Sequence, residues 1–156
     1  MWKVPLFKLN FDDKELEAVM SVIESGWLTM GSKTVEFEST FAAGLGGGSR
    51  CTAVSSCTGA LHLALLALKI EADDEVIIPA TTFVADANVV HMVGAKPVLA
   101  DSGSLDDFNV SPETIEQKIT SKTKAVIVVH FAGYPCDMPS IVELCKSRGL
   151  YLIEDV

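Results

Sequence analysis

"SSCTGALHLALLAL", Ser55 to Leu68, is the stretch whose reading decides the fold. Ser55 to Gly59 are small or polar, and Ala60 to Leu68 have the composition of a helix buried on most sides. Just upstream, Cys51-Thr52-Ala53-Val54 reads as a short buried strand. Small residues between a strand and a helix leave backbone N–H groups bare at the positive end of the helix dipole, which is where an anion binds. They also let a phosphate approach the backbone, and the Thr58 hydroxyl adds a donor. An ordinary N-cap by Ser56 or Thr58 accounts for the same residues without a ligand.

Beyond this unit the pattern is regular. Apolar runs at Glu75–Ile78, Pro97–Ala100, Ala125–Val129 and Leu150–Ile153 read as strands. Helical stretches fall at Thr58–Lys69, Phe83–Val93, Pro112–Ile119 and Met138–Arg148. Ser111-Pro112 supplies an N-cap with proline at the first helical position, and Asp137 can cap the helix after it. Strand–helix alternation with nearly continuous apolar strands predicts a parallel α/β sheet. In such a sheet the ligand sits at the carboxyl ends of the strands. Those ends are Ser55–Gly59, Pro79–Phe83, Asp101, His130–Gly133 and Glu154–Asp155.

The residues before Cys51 read as helical. Asp12 or Asp13 can cap a helix with Leu16, Val19, Met20 and Ile23 on one face, stopped by Gly26. The loop Trp27-Leu28-Thr29-Met30-Gly31 leads to a second helix with Val35, Phe37 and Phe41, and Gly44 to Gly48 form a connector. Gly31-Ser32-Lys33-Thr34 is similar to a P-loop, but an extra serine and a preceding helix rule that reading out. The glycines of Gly44–Gly48 precede a strand instead of joining strand to helix, so they are no dinucleotide fingerprint.

A chain of 156 residues can bury one real core, and 49% hydrophobic residues argue against disorder. No apolar run reaches the roughly 18 residues of a membrane span. Met1-Trp2-Lys3-Val4-Pro5 lacks the apolar core of a secretory leader, which predicts a soluble, cytoplasmic protein with no membrane partner. The net charge of -9 argues against nucleic acid, whose phosphates need basic residues, and otherwise favours solubility. Cys51, Cys57, Cys136 and Cys145 show no C-x-x-C spacing and read as reduced packing residues, with no metal site.

Three further positions invite a functional reading. Phe83 places an aromatic ring near the carboxyl edge, though composition alone favours core packing. Glu154-Asp155 end the last strand with two acids, able to hold a ligand cation or simply solvated. His130 ends a strand at the site edge, whereas His62 and His91 fall within helical stretches.

Taken in order, the chain resembles the DegT/DnrJ/StrS family of sugar aminotransferases, which use pyridoxal phosphate (PLP). The resemblance runs through Gly26-Trp27-Leu28-Thr29-Met30-Gly31-Ser32-Lys33, Ser56-Cys57-Thr58-Gly59-Ala60-Leu61 and Asp74-Glu75-Val76-Ile77-Ile78-Pro79. It continues through Thr82-Phe83, Gly94-Ala95-Lys96-Pro97-Val98 and Thr123-Lys124-Ala125-Val126-Ile127. Val129-His130-Phe131-Ala132-Gly133 and Ile153-Glu154-Asp155 complete it. Each piece is weak alone, but their order and spacing together are specific.

The resemblance implies a three-layer α/β/α fold with a mostly parallel sheet, the large domain of fold-type I PLP-dependent transferases. Residues 1–50 would be an N-terminal helical segment of that domain, 51–156 the PLP-binding part, and the small C-terminal domain would be absent. It implies that Cys57, Thr58 and Gly59 hold the PLP phosphate, that Phe83 stacks on the pyridine ring, and that Asp155 pairs with the ring nitrogen. Trp27, Leu28 and Thr29 would frame a sugar-nucleotide site, with His130 lining the pocket. The implied reaction is amino transfer from an amino acid such as glutamate to a keto-sugar nucleotide, by a homodimer or larger self-assembly, in polysaccharide biosynthesis.

Departures from the family pattern matter as well. Members continue past the acid into Ala-His-Ala or Ala-Gln-Ala, and later reach the lysine that binds PLP as a Schiff base. That lysine would lie beyond Val156, so no catalytic residue is assigned and the chain alone is expected to be inactive. Ala72 stands where glycine is common, and Asp86 where a small residue is common. A PLP-dependent sugar dehydratase of the same family, a non-catalytic fragment and a non-PLP nucleotide-binding module are the alternatives.

Overall fold

A computed structural model of the chain describes Lys3, Val4 and residues 7–156. Part of the Met1–Pro5 stretch, read above as no secretory leader, lies outside those residues. The chain divides into two compact units, Met1–Ala53 and Val54–Val156.

In the first unit, α1 (Asp13–Ser25) starts where the sequence places it. Asp12 Oδ1 accepts from the Lys14 N–H at 2.8 Å, and Glu15 returns the bond to the Asp12 N–H at 2.7 Å. This reciprocal cap satisfies two of the donors a helix start leaves bare. Gly26, at φ +71°, ends the helix in the left-handed conformation that glycine adopts without penalty. The second helix, α2 (Ser32–Leu45), follows the Trp27–Gly31 loop. The predicted strand at Cys51–Val54 does not form. A strand needs a neighbouring ladder, and the Ala53 N–H instead donates to the Glu38 carboxylate at 2.8 Å.

The second unit contains α3 (Cys57–Ala67), β1 (Glu75–Pro79), α4 (Ala85–Met92), β2 (Lys96–Ala100), α5 (Pro112–Glu116), β3 (Thr123–Val129), α6 (Met138–Arg148) and β4 (Tyr151–Asp155). All four strands predicted from Glu75 onward are present. They form one parallel sheet in the order β2-β1-β3-β4. Successive strand residues face opposite sides, which sorts the core into two layers. Val76, Ile78, Ala125 and Ile127 pack with Leu61 and Leu65 of α3 and Val89 and Val90 of α4. Ile77, Val126 and Val128 pack on the other face with Ile115 of α5 and Ile141 and Cys145 of α6. The result is helix on both faces of a parallel sheet, as predicted. Each fully buried aliphatic side chain contributes about 1.5–3 kcal/mol of transfer free energy.

One expectation about α3 fails. The helix buries Leu61 and Leu65, four residues apart on the side facing the sheet, while Leu63 and Leu66 remain about half exposed. Burial is one-sided because the sheet lies on one side only. Among the described residues, no helix is long and apolar enough to cross a membrane.

Candidate active site

The strand order creates the site. From the central β1 the chain steps to β2 on one side, while β3 and β4 lie on the other. The loop after β1 leads to α4 on one face, and the loop after β3 leads to α6 on the opposite face. Where connections diverge in this way, a crevice opens at the carboxyl ends of the strands.

Ser56 is the N-cap of α3, and its Oγ accepts from the Gly59 N–H at 3.1 Å. The ordinary cap is therefore real, and it uses the Gly59 donor. The N–H groups of Cys57 and Thr58 have no partner among the described residues, nor has the Thr58 hydroxyl. Those free donors sit at the positive end of an eleven-residue helix. A Cβ added at Gly59 would meet only Ser56 Oγ, at 3.4 Å. Packing within the chain does not demand glycine there, so the space a side chain would fill is open to a ligand.

Asp155 closes this corner. It is the last residue of β4, half-buried, and its Oδ1 accepts from the Cys57 thiol at 3.0 Å. The contact ties the start of α3 to the end of β4. The bond to Asp155, with burial second, pushes the Cys57 thiol up to about 11. Cys57 is thus exposed and hydrogen-bonded, not the packing cysteine expected, whereas Cys136 and Cys145 are buried. Phe83, on the loop between β1 and α4, is 74% exposed. The core-packing reading of Phe83 fails, and its ring stands free at the strand edge.

His130 lies elsewhere. Its Nε2 meets Glu154 at 3.1 Å, and its Nδ1 accepts from the Cys136 N–H at 3.2 Å. Neighbouring residues of a strand point to opposite faces, so Glu154 and Asp155 diverge. The sheet therefore separates His130 from the Cys57–Asp155 corner. Within the first unit, the Trp27 indole donates to the Met30 carbonyl at 3.0 Å and lies over Gly31, where a Cβ would come within 2.4 Å of Nε1. Trp27, Leu28 and Thr29 line a cavity of about 220 Å³ in that unit.

Sequence reasoning missed two structural devices. Asn109 is buried and clamps the loop after β3, donating to the Tyr134 carbonyl and accepting from the Phe131 N–H. Asp86, noted only as a departure, is wholly enclosed at the start of α4. An asparagine between Phe108 and Val110 does not announce a clamp, and an acid flanked by alanines does not announce burial.

A parallel α/β unit with free amides, an aromatic ring and an acid at one strand edge belongs to the cofactor- and nucleotide-binding class of folds. The chain belongs to the DegT/DnrJ/EryC1/StrS aminotransferase family, whose model matches residues 10–156. GDP-perosamine synthase of Escherichia coli O157:H7 is 44% identical over 153 residues, covering 97% of this chain and 42% of that protein. Among solved structures, the aminotransferase TlmJ from Streptoalloteichus hindustanus superposes with a TM-score of 0.92 at 38% identity, covering 98% of this chain and 42% of that one. NtdA from Bacillus subtilis, solved with bound cofactor PMP, gives a TM-score of 0.84 at 33% identity, covering 91% of this chain and 32% of that one. The chain spans about two fifths of the length of the curated relatives it matches.

Proposed function

We propose that the Val54–Val156 unit binds PLP at the Cys57–Asp155 corner, as part of an aminotransferase that moves an amino group from an amino acid such as glutamate to a keto-sugar nucleotide. The reading of residues 51–156 as part of a PLP-binding large domain, with 1–50 in the same domain, belongs to this proposal, as does self-association. One observation carries it: the helix start that bears the bare Cys57 and Thr58 N–H groups is tied to the Asp155 carboxylate by the 3.0 Å bond from the Cys57 thiol. A phosphate-bearing pyridine needs an anion site and an acid close together.

The N–H groups of Cys57 and Thr58, with the Thr58 hydroxyl, would hold the phosphate, while Gly59 keeps the approach open. Phe83 would cover one face of the ring. Asp155 would hold a proton on the ring nitrogen, and Cys57 orients that carboxylate. When bound, PLP supplies an electron sink for the bond changes at the amino-bearing carbon. The relatives support this reading: one is a GDP-perosamine synthase and another was solved with PMP.

The test is a PLP titration followed by absorbance, with inorganic phosphate as competitor. Saturable binding that phosphate displaces and that Asp155→Asn weakens is expected. Binding that phosphate leaves unaffected would overturn the proposal.

A further inference from the structure

Asp86 is the polar residue that the account so far leaves without a role. It is 0% exposed and is the second residue of α4. Its Oδ1 has no hydrogen-bond partner among the described residues. An acid in the first turn favours the helix dipole without being buried, and a buried carboxylate oxygen left bare is costly. The dipole therefore does not account for this side chain. The reason for it lies with the other oxygen, Oδ2.

Oδ2 accepts from the hydroxyl of Thr82, which has no other partner among the described residues. The Asp86 N–H donates to the Phe83 carbonyl at 3.3 Å. One residue of α4 thus grips the chain on both sides of the Phe83 side chain. The start of the same loop is tied down separately. The Ala80 N–H donates to the Ala100 carbonyl at 2.8 Å, and the Thr81 and Ser102 hydroxyls meet at 3.5 Å. No side chain caps α4, whose N-cap is Val84. Among the described residues, the Thr82–Asp86 bond is therefore the one side-chain tie between the end of this loop and α4. Phe83 itself is 74% exposed. A ring that burial does not hold takes its direction from the backbone beneath it.

We propose that Asp86 is a positioning residue: by anchoring the Thr82 hydroxyl from inside the fold, it sets the Phe83 ring for stacking on the pyridine of a bound cofactor. The inference rests on the PLP reading above and adds to it the residue that aims the ring. A small apolar residue at position 86 would leave the Thr82 hydroxyl unpaired and Phe83 on a looser loop.

Calorimetric titration of the chain with pyridoxamine phosphate (PMP) and with inorganic phosphate tests it. PMP carries the ring and the phosphate but no aldehyde to capture surface lysines. Thr82→Val should weaken PMP binding about two- to tenfold, the range of one aromatic pair. Phosphate binding should not change, because the donors at the start of α3 stay in place. Thr82→Ser keeps the hydroxyl and should bind PMP as the wild type does. Asp86→Ala removes the acceptor and serves where Thr82→Val folds poorly. In a Phe83→Leu background the loss from Thr82→Val should disappear, because effects that pass through one residue do not add once that residue is gone. An unchanged PMP affinity in both Thr82→Val and Asp86→Ala overturns the inference and leaves the cofactor reading intact. So does an equal loss for phosphate and PMP, a Thr82→Ser variant as weak as Thr82→Val, or a loss that persists in full without the Phe83 ring. A wild-type chain that does not bind PMP, or binds it without competition from phosphate, would instead overturn the cofactor reading on which the inference rests.

Discussion

Replacing Thr58 by Val separates the two accounts of the opening stretch. Valine keeps the branched shape and has a helix propensity close to that of threonine. The cap of α3 is Ser56, whose bond to the Gly59 N–H the substitution leaves in place. Folding stability should therefore change little. Three donors are free at this helix start: the N–H groups of Cys57 and Thr58 and the Thr58 hydroxyl. The variant removes the hydroxyl alone. A net hydrogen bond to a charged group contributes about 1.5–3 kcal/mol. At about 1.4 kcal/mol per factor of ten, the affinity for phosphate or PLP should fall about tenfold to a hundredfold, without vanishing. Calorimetric titration of inorganic phosphate and of PLP against both proteins measures this directly. Equal affinities would mean that the hydroxyl faces no ligand and that α3 begins as an ordinary capped helix.

Two predictions concern the scaffold. Glu75, whose side chain is 8% exposed, accepts from Thr120 Oγ1 at 2.6 Å and from Lys96 Nζ at 3.0 Å; the Thr120 bond first, then Lys96, holds its carboxyl below the usual range. Glu75→Gln should cost about 1–2 kcal/mol at neutral pH, since Lys96 is mostly exposed and adds little. Because a lowered carboxyl stabilises above its unfolded value and stops doing so as pH falls through the folded one, the gap should close in urea unfolding near pH 3; a gap of unchanged size there would contradict this. Gly31→Ala should displace the Trp27 indole from the Met30 carbonyl, because the added Cβ would lie 2.4 Å from Nε1. An unshifted Trp27 indole N–H resonance in the variant would refute that.

Much of the second unit was legible because its signals are local. Apolar runs such as Val76-Ile77-Ile78 read as strands buried on both faces, and Ser111-Pro112 and Asp137 mark helix starts by their own chemistry. Cys51–Val54 is also a short, mostly apolar run, but a strand needs a partner as well, and pairing is not a local property. The divergence of His130 from Asp155 depends on which face each residue takes, and the register of β4 against β3 settles that. Phe83 looked like a core residue because aromatic rings usually are buried; its exposure follows from the loop that carries it past the end of β1. Asp86 was visible only as an unusual residue, because its bond to Thr82 and its complete burial arise only once the chain is folded.

The central claim is that the start of α3 and the end of β4 form one cofactor corner. Backbone amide resonances of the labelled chain, followed as PLP is added, test it residue by residue. The largest shifts should fall on Cys57 and Thr58, whose N–H groups are free, with Phe83 and Asp155 responding beside them. Gly59 should move less, because Ser56 already holds its N–H. Saturable shifts centred elsewhere, with Cys57 and Thr58 unmoved, would contradict the account.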